Sequence, residues 1–359
     1  MKLPAKTGDL SVQAAFELRP FNTLGVRSTA EFAVIARSNV ELLEALRWAG
    51  QRGMPVAVLG GGSNVIPAPE VPGLTVIVKT RGVELERSAR RARLVAQAGE
   101  PWHDLVRYSL GQGLGELANL VLIPGSVGAA PIQNIGAYGS ELADTLERVQ
   151  IFDRDRNEVR WLAAAQCGFG YRTSRFKEQS DPGGLGPRQI VLALELALTV
   201  ATVAPLSADR YGDVNAELAT FGKRAVWPVD VAEAVARIRR RKLPDPRRIG
   251  NVGSVFKNPV VTSTQAQRLR QAWPELKTFA AATGVRLSAA QLIDRCGWKG
   301  RRLGGAGVWD RQPLVLTMQS GHDSADFVAL LEAIAASVGE RFDVTLEPEP
   351  RRLPELIPG

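Results

Sequence analysis

A run of three glycines followed by Ser63 and Asn64 is the first feature of the chain that could bind a ligand. Consecutive glycines let backbone N–H groups converge on one point, so residues 60–64 could hold a phosphate. The run lacks the spacing of a dinucleotide-binding Rossmann motif, and no P-loop lysine follows it. The alternative is a tight turn at the end of a strand, which needs the same small residues.

A second candidate is the segment 123–141, with the sequence IPGSVGAAPIQNIGAYGSE, in which small residues dominate. Its backbone could lie against a large flat ligand, and Gln133 and Asn134 offer amide donors and acceptors. The alternative is a long structural loop, although long loops inside compact domains are often functional.

Two shorter motifs could act on an anionic ligand. Arg172, in Gly-Tyr-Arg, is a fixed cation that could meet a carboxylate or phosphate, and otherwise it is an ordinary surface charge. Ser254, in Gly-Ser-Val-Phe-Lys-Asn-Pro at 253–259, could be a positioned hydroxyl acid, or part of a turn that needs small residues. No histidine lies nearby in sequence, which makes Ser254 a poor candidate for a nucleophile.

Glu347 and Glu349 place two carboxylates near the C-terminus, in Leu-Glu-Pro-Glu-Pro. Pro350 favours an extended backbone at Glu349, which could aim this side chain from the end of a strand. The alternative is a solvated terminus.

The composition excludes several classes of protein. The 359 residues are 45% hydrophobic and 23% charged, which is ordinary for globular proteins, and at roughly 150 residues per domain they predict two or three domains. The formal net charge is +8, but the basic residues are scattered without interleaved aromatic residues, so small anionic ligands are favoured over nucleic acid. With two histidines, a three-histidine metal site is excluded.

The sequence also predicts the compartment. The N-terminus lacks the apolar core of a signal peptide, and the longest apolar stretch is too short and too interrupted to span a bilayer. Cys167 and Cys296 form neither a metal motif nor a disulfide framework, so we expect small core residues of a cytoplasmic protein.

The elements that would position these motifs alternate between helices and strands. Apolar residues at helical spacing, with capping residues such as Ser38 and Asp230, predict helices over 38–48, 101–110, 230–242, 262–282 and 324–341. Runs with strand character lie at 55–59, 74–79, 93–98, 149–152, 190–200 and 344–346. Residues 178–187 are expected to form a surface loop.

Seven motifs, in this order from residue 18 to 350, resemble the signatures of UDP-N-acetylenolpyruvoylglucosamine reductases. They are Asn-Thr-Leu-Gly at 22–25, the run at 60–64, the block at 123–141, Gly-Tyr-Arg at 170–172, the serine motif at 253–259, Leu-Ile-Asp at 292–294 with Lys299 and Gly300, and Glu-Pro-Glu at 347–349. Gly-Ala-Tyr-Gly at 136–139 and Tyr-Gly-Asp at 211–213 resemble the family's first subtype, in which a tyrosine closes over the substrate.

The resemblance implies an α+β fold. A two-subdomain FAD-binding unit of the PCMH/vanillyl-alcohol-oxidase type would precede a C-terminal α+β substrate-binding domain. The implied boundaries are an N-terminal tail at 1–17, subdomains at 18–87 and 88–227, the substrate-binding domain at 228–350 and a C-terminal tail at 351–359. The implied reaction belongs to peptidoglycan precursor synthesis: NADPH reduces FAD, and hydride then passes to C3 of the enolpyruvyl group, with protonation at C2.

The resemblance also implies roles for individual residues. Arg172 would stabilise negative charge at C2, Ser254 would donate the proton and Glu349 would be its carboxylate partner. The FAD-binding residues would be Gly60, Gly61, Gly62, Ser63, Asn64, Pro124, Gly125, Ser126, Val127, Gly128, Gln133, Asn134 and Ile135. The substrate would contact Tyr211, Lys242, Asn258 and Gln312. Lys242 would face the diphosphate, although it could instead be solvated, and Asn258 could only shape its turn.

Two other functions remain open from the sequence. An oxidase with the same FAD fold is one, but Ser254 and Glu349 argue against it because an oxidase needs no proton donor to a carbanion. The other is a nucleotide-sugar-binding protein that has lost catalysis, against which Arg172 argues together with these two residues. We expect a monomer that acts on a small-molecule substrate, without nucleic acid, metal or membrane insertion.

Overall fold

The computed structural model describes residues 10–178, 187–200, 204–205, 212–223, 225–281 and 283–354. Tyr211 and most of the predicted loop at 178–187 lie outside these residues. The α-helices of the described residues are α1 (Asn39–Gly50), α2 (Trp102–Gly111), α3 (Arg175–Glu178), α4 (Gly212–Ala219), α5 (Pro228–Lys242), α6 (Ser263–Ala272), α7 (Ala289–Arg295) and α8 (Ser324–Phe342). Short 3-10 helices lie at Arg19–Phe21, Ala118–Leu120, Val127–Ala129, Leu142–Asp144 and Ala164–Gln166. No helix in this part of the chain is both long and apolar enough to cross a membrane.

The strands are numbered in chain order. They are β1 (Gln13–Glu17), β2 (Thr29–Ala36), β3 (Val56–Leu59), β4 (Val65–Pro67), β5 (Glu70–Val78), β6 (Val83–Arg87), β7 (Arg91–Gln97), β8 (Gly136–Ala137), β9 (Ser140–Glu141), β10 (Leu146–Asp153), β11 (Glu158–Ala163), β12 (Gln189–Thr199), β13 (Ala204–Pro205), β14 (Ala225–Val226), β15 (Gly250–Ser254), β16 (Val260–Val261), β17 (Thr278–Ala281), β18 (Gly284–Leu287), β19 (Arg302–Leu303), β20 (Ala306–Val308), β21 (Val315–Met318) and β22 (Arg351–Leu353). The strands predicted before residue 201 are confirmed as β3, β5, β7, β10 and β12, with shifted ends.

The first sheet has the strand order β1–β2–β5–β3, in which β2, β5 and β3 are parallel. The helix α1 begins where Ser38 Oγ accepts a hydrogen bond from Glu41 N at 3.1 Å, as the capping residues predicted. Its fully buried Leu42 packs into the core of this sheet. The run at 60–64 leaves from the carboxyl end of β3, the edge at which sheets with parallel strands commonly bind ligands.

The second sheet is antiparallel, with the order β11–β10–β12–β7–β6. Its strand β12 is apolar along most of its length because both faces are buried. Ile190 packs into the core of the first sheet, whereas the adjacent Val191, on the opposite face, packs into a core shared with α2 and α5. This arrangement puts the first and second sheets in contact and explains the continuous apolar run at 190–200.

The C-terminal part contains an antiparallel sheet of order β15–β21–β20–β19 and a smaller sheet of order β16–β18–β17. Both share one core with α6, α7 and α8, in which Phe256 and Phe327 are fully buried. The chain then returns to the N-terminal part, because β22 pairs in parallel with β4. This return brings the Glu-Pro-Glu motif close to the run at 60–64.

Several predictions from the sequence are wrong. Gln13–Glu17 pair with β2 and Arg351–Leu353 pair with β4, so neither segment is a loose tail. The helix predicted over 262–282 ends at Ala272, because Pro274 lacks the N–H that would continue it, and β17 follows. Residues 344–346 form no strand, since their extended segment has no ladder partner among the described residues.

Candidate active site

A cavity of about 270 Å³ lies where the carboxyl end of β3, the segment 123–136 and the C-terminal sheet meet. The predicted site residues that line it are Gly60, Gly61, Gly62, Ser63, Asn64, Pro124, Ser126, Gln133, Ile135, Arg172, Ser254 and Glu349. These residues come from motifs that are far apart in the chain. The fold therefore brings the predicted cofactor-binding backbone and the predicted catalytic side chains to one place.

The glycine run packs directly against the segment 124–126, and only residues without side chains allow this. A Cβ on Gly61 would lie 2.7 Å from Gly125 Cα, well below van der Waals contact, and a Cβ on Gly60 would overlap Ser126 Oγ. Because these glycines have no side chains, the two backbone segments can pack against each other and form one wall of the cavity.

A smaller cavity of about 110 Å³ adjoins the first one. The two share Val58, Gly60, Ser126, Ala129, Ile132 and Arg351. The smaller cavity reaches between the first and second sheets past Gly128, whose N–H donates to Ala98 O at 2.8 Å. Gly125 and Val127 are not among the described residues that line either cavity. The two cavities therefore share part of their walls.

Arg172 reaches the cavity from a strained turn. Its backbone has a φ of +55°, which costs about 1–3 kcal/mol for a residue with a side chain and is common at functional sites. Its Nη2 donates to Gly136 O at 2.8 Å, and its Nε lies 3.2 Å from Glu349 Oε1. The guanidinium is therefore fixed on two sides at the wall of the cavity.

Glu349 is buried beside this guanidinium. Gln133 Nε2 donates to the backbone oxygen of Glu349 at 2.7 Å. Burial raises the pKa of Glu349 above its ordinary value, against the opposing effects of Arg172, Lys177 and Lys257. A raised pKa favours the neutral carboxylic acid, which can donate a hydrogen bond as well as accept one.

Ser254 is the last residue of β15, where the register with β21 is irregular. Gly253 has a φ of +75°, and its N–H donates to Asn251 Oδ1 at 3.1 Å. This irregularity leaves the Ser254 side chain exposed at the cavity. Within the described ranges the Ser254 hydroxyl has no hydrogen-bond partner, so it can bond to a ligand.

Asn134 does not line the cavity, although it lies in the predicted cofactor-binding block. Its side chain is buried, and its Nδ2 donates to Glu141 Oε2 at 2.7 Å. Its Oδ1 accepts a hydrogen bond from Ala143 N at 3.0 Å, and its Nδ2 also lies 3.3 Å from Gly170 O. Both polar groups of this amide are therefore used to hold the loops that carry Arg172.

Of the predicted substrate-binding residues, the three that the structure describes do not line the cavity either. Lys242, at the end of α5, forms an ion pair with Asp213 on α4. Asn258 Oδ1 accepts a hydrogen bond from Ala289 N at 3.0 Å. Gln312 lies in the turn before β21, where its Oε1 accepts a backbone N–H from two residues further on at 3.4 Å. Tyr211 lies outside the described residues.

Arg239 on α5 lines the cavity and was not predicted from the sequence. Burial lowers its pKa from the ordinary value, and among the described residues no carboxylate counteracts this effect. Its Nε is buried without a hydrogen-bond partner in the same part of the chain. A buried guanidinium without a counterion favours an anionic ligand. The helical spacing of the sequence could have indicated this residue, because residue 239 follows Val235 by four positions and so shares its inward helical face.

The described residues contain no group of three or more histidine, cysteine, aspartate or glutamate side chains that could hold a metal ion. Both cysteines are free thiols. Cys167 is fully buried, as predicted for a small core residue, and Cys296 is partly buried and packs against the C-terminal core.

Comparison with known proteins identifies the family. Residues 30–162 match an FAD binding domain, and residues 245–353 match the C-terminal domain of UDP-N-acetylenolpyruvoylglucosamine reductase. The chain is 43% identical over 343 residues to the Pseudomonas aeruginosa protein of that name, covering 95% of this chain and 98% of that protein. It belongs to the UDP-N-acetylenolpyruvoylglucosamine reductase family. The family's Azoarcus sp. protein is 43% identical over 347 residues, covering 95% of this chain and 97% of its own length.

The fold of the family agrees with the structure. A crystal structure of UDP-N-acetylenolpyruvylglucosamine reductase from Thermus caldophilus superposes with a TM-score of 0.65 at 24% identity, covering 96% of this chain and 99% of that one. The resemblance deduced from seven motifs is therefore confirmed as family membership. The predicted α+β fold with an FAD-binding unit is confirmed as well.

Proposed function

We propose that the protein is an FAD-containing reductase that converts UDP-N-acetylenolpyruvoylglucosamine to UDP-N-acetylmuramate, with NADPH as the reductant. The observation that supports this most directly is the single cavity that joins the glycine-lined backbone to Arg172, Ser254 and Glu349. An enol ether is not electrophilic by itself. Its reduction therefore needs a cation near the developing negative charge and a proton donor at C2, and these three side chains provide both.

The residues of the cavity fit FAD. The two adjoining cavities suit an extended dinucleotide, and Arg239 supplies a buried cation without a carboxylate partner among the described residues, which suits an anionic group. Gln133 Oε1 is buried without a hydrogen-bond partner in the described ranges, and such an acceptor suits the imide N–H of a flavin. When bound, FAD would take hydride from NADPH and deliver it to C3 of the enolpyruvyl group.

Arg172 would stabilise the charge that forms at C2. Hydride addition at C3 leaves negative charge at C2, delocalised into the adjacent carboxylate. Arg172 is held by Gly136 O and Glu349 before the ligand binds, so little reorganisation opposes the reaction. Its guanidinium can face the substrate carboxylate with charge-assisted hydrogen bonds.

Ser254 would donate the proton to C2. An alcohol is a weak acid, so it works only against a strongly basic carbanion and when it already points at the carbon. The hydroxyl at the end of β15 borders the cavity and has no hydrogen-bond partner among the described residues, so it would be free to take that position. Burial raises the pKa of Glu349, which favours the neutral form, and in that form it would donate a hydrogen bond to the substrate instead of repelling it.

The substrate's nucleotide end would be held by Tyr211, Lys242, Asn258 and Gln312. Lys242 would have to leave Asp213 before it could pair with the diphosphate. Since both side chains are about half exposed, this exchange of one anionic partner for another costs little.

Half-reaction kinetics test this proposal. The purified protein should be yellow, NADPH should reduce its flavin, and the enolpyruvyl sugar nucleotide should reoxidise it. Ser254→Ala should leave flavin reduction near normal and slow reoxidation by the substrate by about 10²-fold or more. Equal slowing of both halves would refute the proton-donor role. Fast reoxidation by oxygen without any reaction with the enolpyruvyl substrate would favour the oxidase.

A further inference from the structure

Lys177, in the short helix α3, has an unusual environment for a lysine. Its Nζ is buried, and it has no hydrogen-bond partner within the described residues. The nearest ion-pair partner is Glu347, whose Oε1 lies 3.9 Å away, beyond hydrogen-bond distance. A buried ammonium that makes no hydrogen bond is expensive and easily loses its proton.

A second lysine adds to this cost. Lys257, in the serine motif, is also largely buried, and its Nζ pairs with the same Glu347 oxygen. The two lysines thus compete for one carboxylate oxygen, and Lys257 has the closer contact. Burial, followed by the charge of Lys257, lowers the pKa of Lys177 to about 8, while Glu347 and Glu349 oppose this. Lys177 therefore changes its charge just above neutral pH.

The charges around Lys177 do not balance when all groups are ionised. Three cations, Arg172, Lys177 and Lys257, face two carboxylates, Glu347 and Glu349. The group carries one excess positive charge in this state. This excess is removed when Lys177 loses its proton or when an anion arrives, and it is larger by one charge when Glu349 is neutral.

This inference rests on the proposed function, in which the substrate carboxylate comes to Arg172. We propose that Lys177 is a positioning residue that takes up one proton from solvent when a ligand carboxylate binds beside Arg172 and Glu349. The proton converts its neutral amine to an ammonium, and no other bond forms or breaks. Because the ligand prefers the protonated form, its affinity should fall as the pH rises through the pKa of Lys177.

Isothermal titration calorimetry of the oxidised holoenzyme tests the proposal. UDP-N-acetylmuramate, which carries the carboxylate, and UDP-N-acetylglucosamine, which lacks it, are titrated in buffers of different ionisation enthalpy. The pKa of Lys177 is about 8 and should rise when the ligand binds. Above about pH 8, binding of UDP-N-acetylmuramate should therefore be accompanied by the uptake of close to one proton. Its dissociation constant should rise about tenfold between about pH 7 and about pH 9. Binding of UDP-N-acetylglucosamine should be accompanied by much less proton uptake.

Two variants at Lys177 separate a titrating role from a packing role. Lys177→Met should abolish proton uptake and bind UDP-N-acetylmuramate at neutral pH about as weakly as the wild type does at high pH. Lys177→Arg keeps its charge at every pH used, so it should also lose proton uptake but stay tight at high pH. If Lys177 had a purely structural role, we would not expect one variant to bind weakly and the other tightly at every pH. Lys277→Met, at an exposed lysine of the C-terminal part, makes the same change away from this cluster; it is the matched control and should behave as the wild type.

Each failure has a distinct meaning. If neither nucleotide binds the wild-type holoenzyme, the proposed function fails, and this inference fails with it. If UDP-N-acetylmuramate binds without proton uptake, only the role of Lys177 is refuted. If uptake persists in Lys177→Met and vanishes in Glu349→Gln, the buried carboxyl is the titrating group and the proposal is overturned.

Discussion

Replacing Gly61 with alanine should disturb the cavity wall by a predictable amount. The added Cβ would lie 2.7 Å from Gly125 Cα, 3.0 Å from Gly125 C and 3.4 Å from Ser126 N. Since carbon atoms pack at about 3.5–4.0 Å, the two segments must separate by roughly 1 Å. No side-chain rotation can relieve these contacts, because the opposing atoms belong to the backbone. Overpacking of this kind costs about 1–3 kcal/mol.

This cost should divide between stability and FAD affinity. If the apoprotein relaxes and FAD requires the closed wall, the whole cost appears as a dissociation constant for FAD raised by about 5- to 150-fold. If the wall cannot relax, the cost appears in the free energy of unfolding of the apoprotein. Denaturant unfolding of the apoprotein and FAD titration by flavin fluorescence measure the two quantities, and their changes should sum to about 1–3 kcal/mol.

The matched control is Gly111→Ala at the last residue of α2. A Cβ there would meet no atom within 4 Å, and alanine is the better helix former by about 1 kcal/mol, so this variant should be neutral or slightly more stable. Wild-type stability together with wild-type FAD affinity in Gly61→Ala would refute the close packing of these segments.

Two further substitutions test buried charges. Arg239→Met should stabilise the apoprotein by about 1–2 kcal/mol and weaken FAD binding, because it removes a buried charge without a counterion; a less stable apoprotein in thermal unfolding would contradict this. Asp153→Asn should cost about 2 kcal/mol near neutral pH. Burial raises the pKa of Asp153, but hydrogen bonds from Arg160, the Arg156 N–H and Gln189 outweigh it and hold this pKa below its ordinary value. A carboxyl whose pKa is lower in the folded protein than in the unfolded chain stabilises the fold at pH values above the unfolded pKa. This stabilisation is lost as the pH falls through the folded pKa. The difference in free energy of unfolding between wild type and Asp153→Asn should therefore shrink below about pH 4. A difference that stays constant in acid would refute the assignment.

Sequence patterns predicted elements whose signals are local. The helices α1 and α8 are found within two residues of their predicted ends, because apolar spacing and capping residues mark them. The end of α6 was predictable as well, since Pro274 is visible in the sequence. In contrast, β1 is largely exposed and has no apolar alternation, so only its pairing with β2 makes it a strand. The alternation at 344–346 is real, because Val344 and Leu346 are buried, but the segment has no ladder partner in the described ranges.

The site was predictable where a motif fixes the backbone. Gly61 lines the cavity in a loop that requires small residues, and Ser254 lines it at an irregular strand end. Both requirements can be recognised in short sequence motifs. Residue type alone did not distinguish Asn134, whose amide is used inside the chain, from Gln133, which lines the cavity. Arg239 was missed because its entry into the cavity depends on how α5 packs over the second sheet.

Proline residues lie on either side of Glu349, but the two backbone hydrogen bonds that hold this segment are donated by other residues. Glu349 N donates to Val255 O at 2.9 Å, and two residues later Arg351 N donates to Asn64 O at 3.1 Å. Pro348 and Pro350, which have no N–H to donate, occupy the positions next to these two donors, so neither bond is lost. Glu349 is thus held between the serine motif and the glycine run. In the proposed mechanism, a movement of one relative to the other would displace the Glu349 carboxyl, so the proposed proton donation and the proposed cofactor-binding wall would depend on each other.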